Sequence, residues 1–367
     1  MANYNEKKFV KKQNCINVRT CNDVRDLIKD IARTHEDEPF YIFNINDLFL
    51  KYDLWKKVFP RIEPHYAVKC NHYDLVLRVL AALGVNFDCA TKFEMQRVLA
   101  LEVDPSRIVY AHTTKLPTFL KYAKQNNIDL VTFDNEEELY KMKEIVPNAR
   151  TLIRIKYDGP AMTKFGEKFG CDPYFEAENL LQIAKKINVN VVGVSFHVGT
   201  GSRDALTFYQ AIKTARNVFD YAANLGYTFN ILDIGGGYPG INEDSIIPFA
   251  KYINMALDDY FLDKSVRIIA EPGRFFVESA FTLACSVHSM KKKCGEYKSL
   301  NNDAIYEYYL TDGIHGNMGS AIPYNVKFIP VPLNVISNLI FEFYMITIIL
   351  GIQEPERIFK YNLGTHM

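Results

Sequence analysis

The chain has 367 residues, of which 48% are hydrophobic and 23% are charged, as in an ordinary soluble globular protein. Its 43 basic and 43 acidic residues cancel, so no net charge attracts the chain to nucleic acid or to anionic lipid. Seven cysteines without a CxxC pair argue against a disulfide framework and for a reducing compartment.

The N-terminal segment, residues 1–43, is predicted to join a β-rich domain that follows later in the chain. It begins with MANYNEKKFV, which is polar and contains no apolar signal sequence. PFYIFN (39–44) has the composition of a strand that leads into the next part of the chain. A cytoplasmic location is therefore expected.

Eight short apolar runs follow, and each ends near a polar or reactive residue. The runs are HYAVK (65–69), NFDCA (86–90), IVYAH (108–112), LVTFD (130–134), TLIRIK (151–156), VGVSFH (192–197), ILDIG (231–235) and RIIAEPG (267–273). Stretches of helix length separate them, and YDLVLRVLAALG (73–84) and KFEMQRVLALE (92–102) show the helical apolar period. This pattern predicts an α/β fold, a (β/α)8 TIM barrel over residues 44–279, with its chemistry at the C-terminal strand ends.

The spacing of the runs predicts where the barrel has elaborated loops. The first five runs start 21 or 22 residues apart, whereas the last three intervals are 41, 39 and 36 residues long. Insertions in a barrel are best tolerated in surface loops, where they also carry function. We therefore expect longer loops on the catalytic face after the fifth, sixth and seventh runs.

A second, β-rich domain is predicted after the barrel, over residues 280–322, and is incomplete. AFTLACSVHSMKKK (280–293) and AIYEYYLTDG (304–313) alternate apolar and polar residues, which is typical of strands. The remaining residues, 323–367, form an apolar tail. Its most apolar part, 335–352, is too short without interruption for the ~20 residues of a membrane-spanning helix. A buried strand pair or a divergent tail is favoured over an anchor.

Lys69 at the end of the first run is the first candidate for chemistry. A lysine at this place is either a solvated residue that begins a loop, or a partly desolvated and less basic amine that forms a Schiff base. Asp88, at the end of the next run, lies near enough in a barrel to pair with the ammonium group. This neighbour favours the second alternative.

Arg154 lies inside an apolar run, where an unpaired guanidinium would be very costly. Glu271, near the end of the eighth run, is the expected counter-charge. A structural ion pair in the barrel core explains the two residues equally well. His197 ends the sixth run and is either a core histidine or an imidazole that stacks on a flat aromatic cofactor.

Glycine-rich loops follow the sixth, seventh and eighth runs. VGTG (198–201) and DIGGG (233–237) expose backbone N–H groups that let a phosphate approach, although a tight turn alone would also explain them. In barrels, phosphate binds to the loops after the last two strands. The candidate phosphate-binding residues of these two loops are Gly235, Gly236, Gly237, Gly273 and Arg274.

Together these candidates describe pyridoxal 5′-phosphate. Lys69 would take the aldehyde, the glycines and Arg274 the phosphate, and His197 the ring. Glu271 would hold the protonated ring nitrogen, which makes the ring an electron sink. The sequence contains no HExxH, no Cys/His metal spacing, no GxSxG and no Walker loop, so metal-dependent and rival chemistries lack their residues.

Five motifs resemble the eukaryotic ornithine decarboxylases, pyridoxal-phosphate enzymes with an alanine-racemase-like barrel. They are HYAVKCN, FDCATKFE, SFHVGTG, LDIGGGYPG and AEPGRFF, and the resemblance extends from about Pro39 to about Ser320. It implies a cytoplasmic homodimer that converts L-ornithine to putrescine in polyamine biosynthesis. It further implies that Lys69 is the Schiff-base lysine, that His197 stacks on the cofactor ring and that Glu271 contacts the ring nitrogen.

The same resemblance assigns further positions. It implies that the phosphate is contacted by Thr200, Gly237 and Arg274, with Thr200 in the place of the usual serine. The family's other active-site positions are occupied by Asp88, Glu94 and Arg154.

A related group, the antizyme inhibitors, has the same fold but does not bind the cofactor, so an antizyme-binding regulator is an alternative. The resemblance also ends before the tail: His315 replaces a usual tyrosine, and residues 326–367 contain no cysteine for the family's Cys-Asp motif. We therefore expect a truncated or divergent C-terminus that impairs turnover. A barrel that carries the cofactor without turnover is a third possibility.

Overall fold

The computed structural model describes residues 23–34, 37–293, 305–319, 328–333 and 344–349. Helices in these ranges are α1 (Val24–Ala32), α2 (Ile45–Val58), α3 (Asp74–Ala82), α4 (Lys92–Leu99), α5 (Pro117–Gln125), α6 (Glu136–Ile145), α7 (Glu176–Lys186), α8 (Leu206–Asn224), α9 (Glu243–Tyr260) and α10 (Arg274–Val277).

Strands in the same ranges are β1 (Phe40–Phe43), β2 (Ile62–Ala67), β3 (Asn86–Cys89), β4 (Ile108–Tyr110), β5 (Leu130–Phe133), β6 (Arg150–Ile155), β7 (Ala161–Thr163), β8 (Val191–Phe196), β9 (Thr200–Ser202), β10 (Ile231–Asp233), β11 (Arg267–Ala270), β12 (Phe281–Lys293), β13 (Ile305–Leu310), β14 (Ile329–Pro332) and β15 (Tyr344–Ile349).

Eight parallel strands close into a barrel in the order β2-β3-β4-β5-β6-β8-β10-β11, and β11 pairs with β2 to complete the ring. Every predicted run overlaps one of these strands, so the barrel prediction is confirmed. Strands β5 and β8 are buried along their whole length because the barrel interior covers one face and the helices cover the other. All eight strand ends therefore point to one rim.

The two helices predicted from their apolar period are α3 and α4. Helix α3 is followed by Gly84 at φ +84°, and the Val85 N–H donates to the Leu80 carbonyl, as in a Schellman motif. Helix α4 begins after Thr91, whose hydroxyl accepts the Glu94 N–H in a capping box. Both helix boundaries are therefore fixed by local hydrogen bonds.

A second sheet lies beside the barrel rim and has the strand order β1-β12-β15-β14, with β13 also paired to β12. The predicted strands at 39–44, 280–293 and 304–313 correspond to β1, β12 and β13, and β1 joins this sheet as expected. Within the apolar stretch 335–352, the described residues form β15, which pairs with β12 and β14. The other residues of that stretch lie outside the described ranges.

The longer intervals between the later runs contain additional structure. Strands β7 and β9, which follow β6 and β8, pair with each other in a small antiparallel sheet. This agrees with the predicted elaboration of loops on the catalytic face. In the part of the chain that the structure describes, no helix is long and apolar enough to cross a membrane.

The buried side chain of His65 in β2 is expected to make the stability of the fold decrease in acid. The side chain is 1% exposed, and burial, followed by the charge of Arg267, lowers its pKa to about 3. The unfolded chain takes up this proton near pH ~6.5, so stability is lost as the pH falls from there towards 3, by up to ~1.4 kcal/mol per pH unit. We expect His65→Asn to reduce the change of the unfolding free energy with pH, measured by urea titrations between pH 5 and 7. The variant should take up about one proton fewer on unfolding. His72→Asn, which removes an exposed imidazole, is the control, and an unchanged slope in His65→Asn would contradict the prediction.

Candidate active site

A cavity of about 1030 Å³ opens between the barrel rim and the second sheet. Aromatic residues from the sheet side contribute to its wall, among them Tyr41, Phe43 and Phe281. Of the residues predicted from the sequence to bind the cofactor, those that line it are Lys69, His197, Thr200, Gly236, Gly237, Glu271, Gly273 and Arg274. The strand ends therefore bring most of the predicted site together at one cavity.

Lys69 follows β2 in a short 3-10 turn, and its amine forms an ion pair with Asp88 of β3. The strand register aligns Ala67, two residues before Lys69, with Asp88. The side chains of Lys69 and Asp88 therefore lie at the same part of the rim. Burial lowers the pKa of Lys69, but the charges of Asp88 and Glu271 and the hydrogen bond to Asp88 outweigh it, so the net pKa is raised. The expected pairing is confirmed, whereas the expectation of a less basic amine is wrong because the counter-charge prevails over desolvation.

Two carboxyl groups meet at the neighbouring part of the rim, where β11 lies between β2 and β10. Glu271 follows β11, and Asp233 ends β10 with its side chain fully buried. Burial raises the pKa of Asp233 to about 7 and, together with the charge of Asp233, raises that of Glu271 well above its usual value. Burial and their mutual repulsion therefore disfavour a negative charge on both carboxyl groups at once. Sequence reasoning passed over Asp233, although it stands at the end of a predicted strand like the other candidates.

His197 follows β8 and is held in one tautomer. Its Nδ1 accepts the Gly199 N–H at 3.0 Å, so any proton on the neutral ring is on Nε2. Burial, followed by the charges of Arg154 and Lys69, lowers its pKa well below the usual value, and the ring is neutral. The Phe165 ring packs edge-on against it, with centroids 5.0 Å apart. Stacking of this ring on a cofactor stays a prediction.

Arg154 and Glu94 do not have the surroundings that the sequence suggested. Within the described residues Arg154 makes no ion pair with Glu271; its guanidinium instead lies over the Phe169 ring, 5.3 Å from the centroid. The predicted direct ion pair is therefore not formed, although the charge of Arg154 still acts on Glu271 and opposes the raised pKa that burial and Asp233 cause. The carboxylate of Glu94 accepts the N–H groups of Ala90 at 2.5 Å and Thr91 at 3.1 Å, so it caps α4 and does not line the cavity.

The glycine loops form a concave surface that only glycine permits. Gly235 has φ +62°, and a Cβ there would collide with the Phe196 carbonyl oxygen. Gly237 has φ +113°, and a Cβ there would lie 2.6 Å from the Gly199 carbonyl oxygen. Such close backbone approach leaves room for an anion beside exposed N–H groups. Gly235 connects this loop to the residue that follows β11, since its carbonyl accepts the Glu271 N–H at 2.7 Å.

These residues fit pyridoxal 5′-phosphate. The cavity offers an amine for the aldehyde, a glycine cradle with Arg274 for the phosphate, and a neutral imidazole for the ring face. The carboxyl group of Glu271 suits a protonated ring nitrogen, which would donate a hydrogen bond to it. Asp88 Oδ1 and Asp233 Oδ2 are buried without a hydrogen-bond partner among the described residues. Either oxygen could therefore accept a hydrogen bond from a bound group. The barrel and its site are those of a pyridoxal-phosphate enzyme.

Comparison with known proteins defines the family more closely. Residues 45–278 match the pyridoxal-binding domain of the pyridoxal-dependent decarboxylases, and the chain belongs to this family. It is 39% identical to ornithine decarboxylase 2 of Drosophila melanogaster over 309 residues, which cover 84% of this chain and 78% of that protein. It is also 42% identical to antizyme inhibitor 2 of Xenopus laevis over 310 residues, 82% of this chain and 67% of the relative.

Solved structures agree with this assignment. The crystal structure of the arginine decarboxylase from Paramecium bursaria Chlorella virus superimposes with a TM-score of 0.83 at 32% identity, and the match covers 89% of this chain and 94% of that one. Both comparisons therefore extend beyond the barrel into the second sheet.

Proposed function

We propose that the chain catalyses the decarboxylation of L-ornithine to putrescine. The observation that carries the proposal is the Lys69–Asp88 ion pair at the edge of a cavity whose other walls hold His197, Glu271 and Arg274. When bound, pyridoxal 5′-phosphate supplies an aldehyde that captures an amino acid and a ring that stabilises the negative charge left when CO₂ departs. The relatives named ornithine decarboxylase support ornithine as the substrate.

Each residue then has a task in the proposed reaction. Asp88 holds the proton of the Lys69 amine and can accept it when the amine becomes a nucleophile. Glu271 would accept a hydrogen bond from the protonated ring nitrogen and so sustain the positive charge of the ring. His197, which lines the same cavity, would hold the ring.

The phosphate end and the cavity mouth position the reacting groups. Arg274, the hydroxyl of Thr200 and the N–H groups of Gly236 and Gly237 line the cavity and would hold the phosphate of the cofactor. The aromatic side chains at the mouth exclude water, which strengthens the electrostatic interactions inside. They include Tyr73, which directly precedes α3, and Phe281 of β12, and both line the cavity.

Two measurements test the proposal. Purified protein is titrated with pyridoxal 5′-phosphate while the visible absorbance is recorded, and CO₂ release is measured from carboxyl-labelled ornithine, arginine and lysine. We expect a saturable band and the fastest release from ornithine. Arginine is the principal competitor to include, because the viral structural relative is an arginine decarboxylase. No release from any of the three amino acids would contradict the proposal.

An antizyme-binding regulator is the second candidate, and the 42% identity to a Xenopus antizyme inhibitor favours it. This candidate predicts no absorbance band and co-purification with antizyme in a binding assay. A band without CO₂ release would instead indicate a barrel that carries the cofactor without turnover.

The family resemblance also implies a homodimer, which sedimentation with and without cofactor tests.

A further inference from the structure

One acidic side chain lies in the wall of the cavity at the phosphate end. Glu278 directly follows α10, one turn after Arg274, and forms an ion pair with its guanidinium through Oε1. The other oxygen, Oε2, accepts the Gly240 N–H at 2.9 Å. The carboxylate is thus held on both oxygens, and its side chain is 10% exposed.

Arg274 reaches from this carboxylate to the glycine cradle. Its Nη2 faces Glu278, whereas its Nη1 lies 3.5 Å from the Met162 sulfur. A Cβ at Gly201 would lie 3.1 Å from the same Nη1, so this nitrogen borders the loop that carries Thr200. A phosphate in the cradle and the carboxylate of Glu278 would therefore contact one and the same guanidinium.

Within the described ranges, no second cation makes direct contact with Glu278 to offset its charge. Lys51 is 4% exposed and close enough to feel the charge, but its Nζ donates to the Gly240 carbonyl at 2.6 Å. Among the described residues, Glu278 forms its ion pair with Arg274 alone. Because Gly240 anchors its other oxygen, the carboxylate remains beside the site when an anion enters.

From these contacts we infer that Glu278 is an internal anion that competes with the cofactor phosphate for Arg274. It satisfies the guanidinium while the site is empty and weakens the binding of phosphate esters once they enter. Glu278 is thus a positioning residue for the phosphate end, and aldehyde capture at Lys69 does not depend on it. The inference rests on the proposed cofactor site.

The test compares pyridoxal 5′-phosphate with pyridoxal, which lacks the phosphate. Absorbance titrations are made with the wild-type chain, Glu278→Gln, Glu278→Ala and the control Glu144→Gln, which changes an exposed helical glutamate. We expect Glu278→Gln to bind pyridoxal 5′-phosphate about tenfold more tightly, because one opposing charge is removed from a site with reduced solvent screening. Affinity for pyridoxal should change less than about twofold.

A structural role of Glu278 would give a different pattern. It would weaken both ligands together, and either that result or an unchanged ratio of the two affinities would overturn the inference. Inorganic phosphate, used as a competitor of pyridoxal 5′-phosphate, should also bind more tightly to Glu278→Gln. Circular dichroism establishes that each variant is folded, and Glu278→Ala gives the same ratio test if Glu278→Gln does not fold.

Two further arms isolate the contribution of Arg274 and of the site itself. In an Arg274→Gln background, Glu278→Gln should change the affinity for pyridoxal 5′-phosphate by less than about threefold, and a persistent tenfold gain would overturn competition for this guanidinium. If the wild-type chain binds neither ligand, the proposed function fails. If it binds both and only the ratio is unaffected, the inference about Glu278 fails alone.

Discussion

Lys69→Ala is expected to abolish the visible absorbance band with pyridoxal 5′-phosphate and to lower CO₂ release by at least ~10³-fold. The reason is that the proposed function makes the Lys69 amine the nucleophile that captures the aldehyde. Asp88 accepts a hydrogen bond from this amine, and Lys115, another lysine that follows a barrel strand, is fully buried and paired with Glu138. No other described lysine lines the cavity and could replace it.

The same substitution also removes the partner of a buried carboxylate, since the side chain of Asp88 is 0% exposed. Lys69→Arg separates the two effects, because a guanidinium retains the positive charge but is not a nucleophile at neutral pH. We expect Lys69→Arg to lack the band while it unfolds at a urea concentration closer to that of the wild type than Lys69→Ala does.

Lys186→Ala, which changes an exposed lysine of α7, is the matched control and should retain both the band and the activity. A band of wild-type intensity in Lys69→Ala and in Lys69→Arg would show that another amine captures the aldehyde. The assignment of Lys69 would then be wrong.

The barrel strands could be predicted from the sequence because each is a short apolar run with a polar residue at its end. In a barrel, that end has one possible place, the rim, so side chains far apart in sequence such as Lys69 and Glu271 could be expected at a common cavity. The phosphate-binding loops could be predicted from their clustered glycines. In the structure, Gly235 and Gly237 adopt positive φ, and a Cβ at either position would collide with backbone atoms.

The pairing of charges could not be predicted in the same way. Arg154 was expected to contact Glu271, but which charges meet across the barrel depends on rotamers and on neighbours such as Phe169 and Asp233. Several partners were compatible with the strand order, and the sequence does not distinguish between them.

Glu94 illustrates a local signal that was available. The segment Thr91–Glu94 has the T-x-x-E pattern of a capping box, which predicts the hydrogen bonds found at the start of α4. A catalytic role was assigned to Glu94 by resemblance alone. Its carboxylate stays close enough to Asp88 to interact electrostatically, since that charge contributes to the raised pKa of Glu94 after burial.

The buried ion pair between Lys115 and Glu138 predicts the largest loss of stability outside the cavity. Their side chains are 0% and 1% exposed, and the Lys115 amine lies 2.8 Å from Glu138 Oε1. The amine also donates to the carbonyl oxygens of His112 at 3.1 Å and Thr132 at 2.5 Å, which ties the ends of β4 and β5 together. Burial lowers the pKa of Lys115 to about 8, so the amine is still protonated at neutral pH.

Lys115→Met is expected to lower the free energy of unfolding by ~3–5 kcal/mol, because it leaves the Glu138 carboxylate and two carbonyl groups buried without this donor. Urea unfolding followed by fluorescence of Trp55, the single and buried tryptophan, measures the loss. Lys141 approaches the same carboxylate at 2.5 Å but is 27% exposed, so Lys141→Met should cost less than ~1 kcal/mol.

The double variant Lys115→Met/Glu138→Met decides whether the loss comes from an unpaired charge. Two apolar side chains of similar volume remove both charges, so the double variant should be more stable than Lys115→Met alone by at least ~1 kcal/mol. If the loss in the double variant equals the sum of the losses in Lys115→Met and Glu138→Met, the Glu138 carboxylate does not depend on Lys115 to offset its charge. Lys141 would then be its effective partner, and the connection between β4 and β5 would rest on the carbonyl contacts of Lys115 rather than on charge.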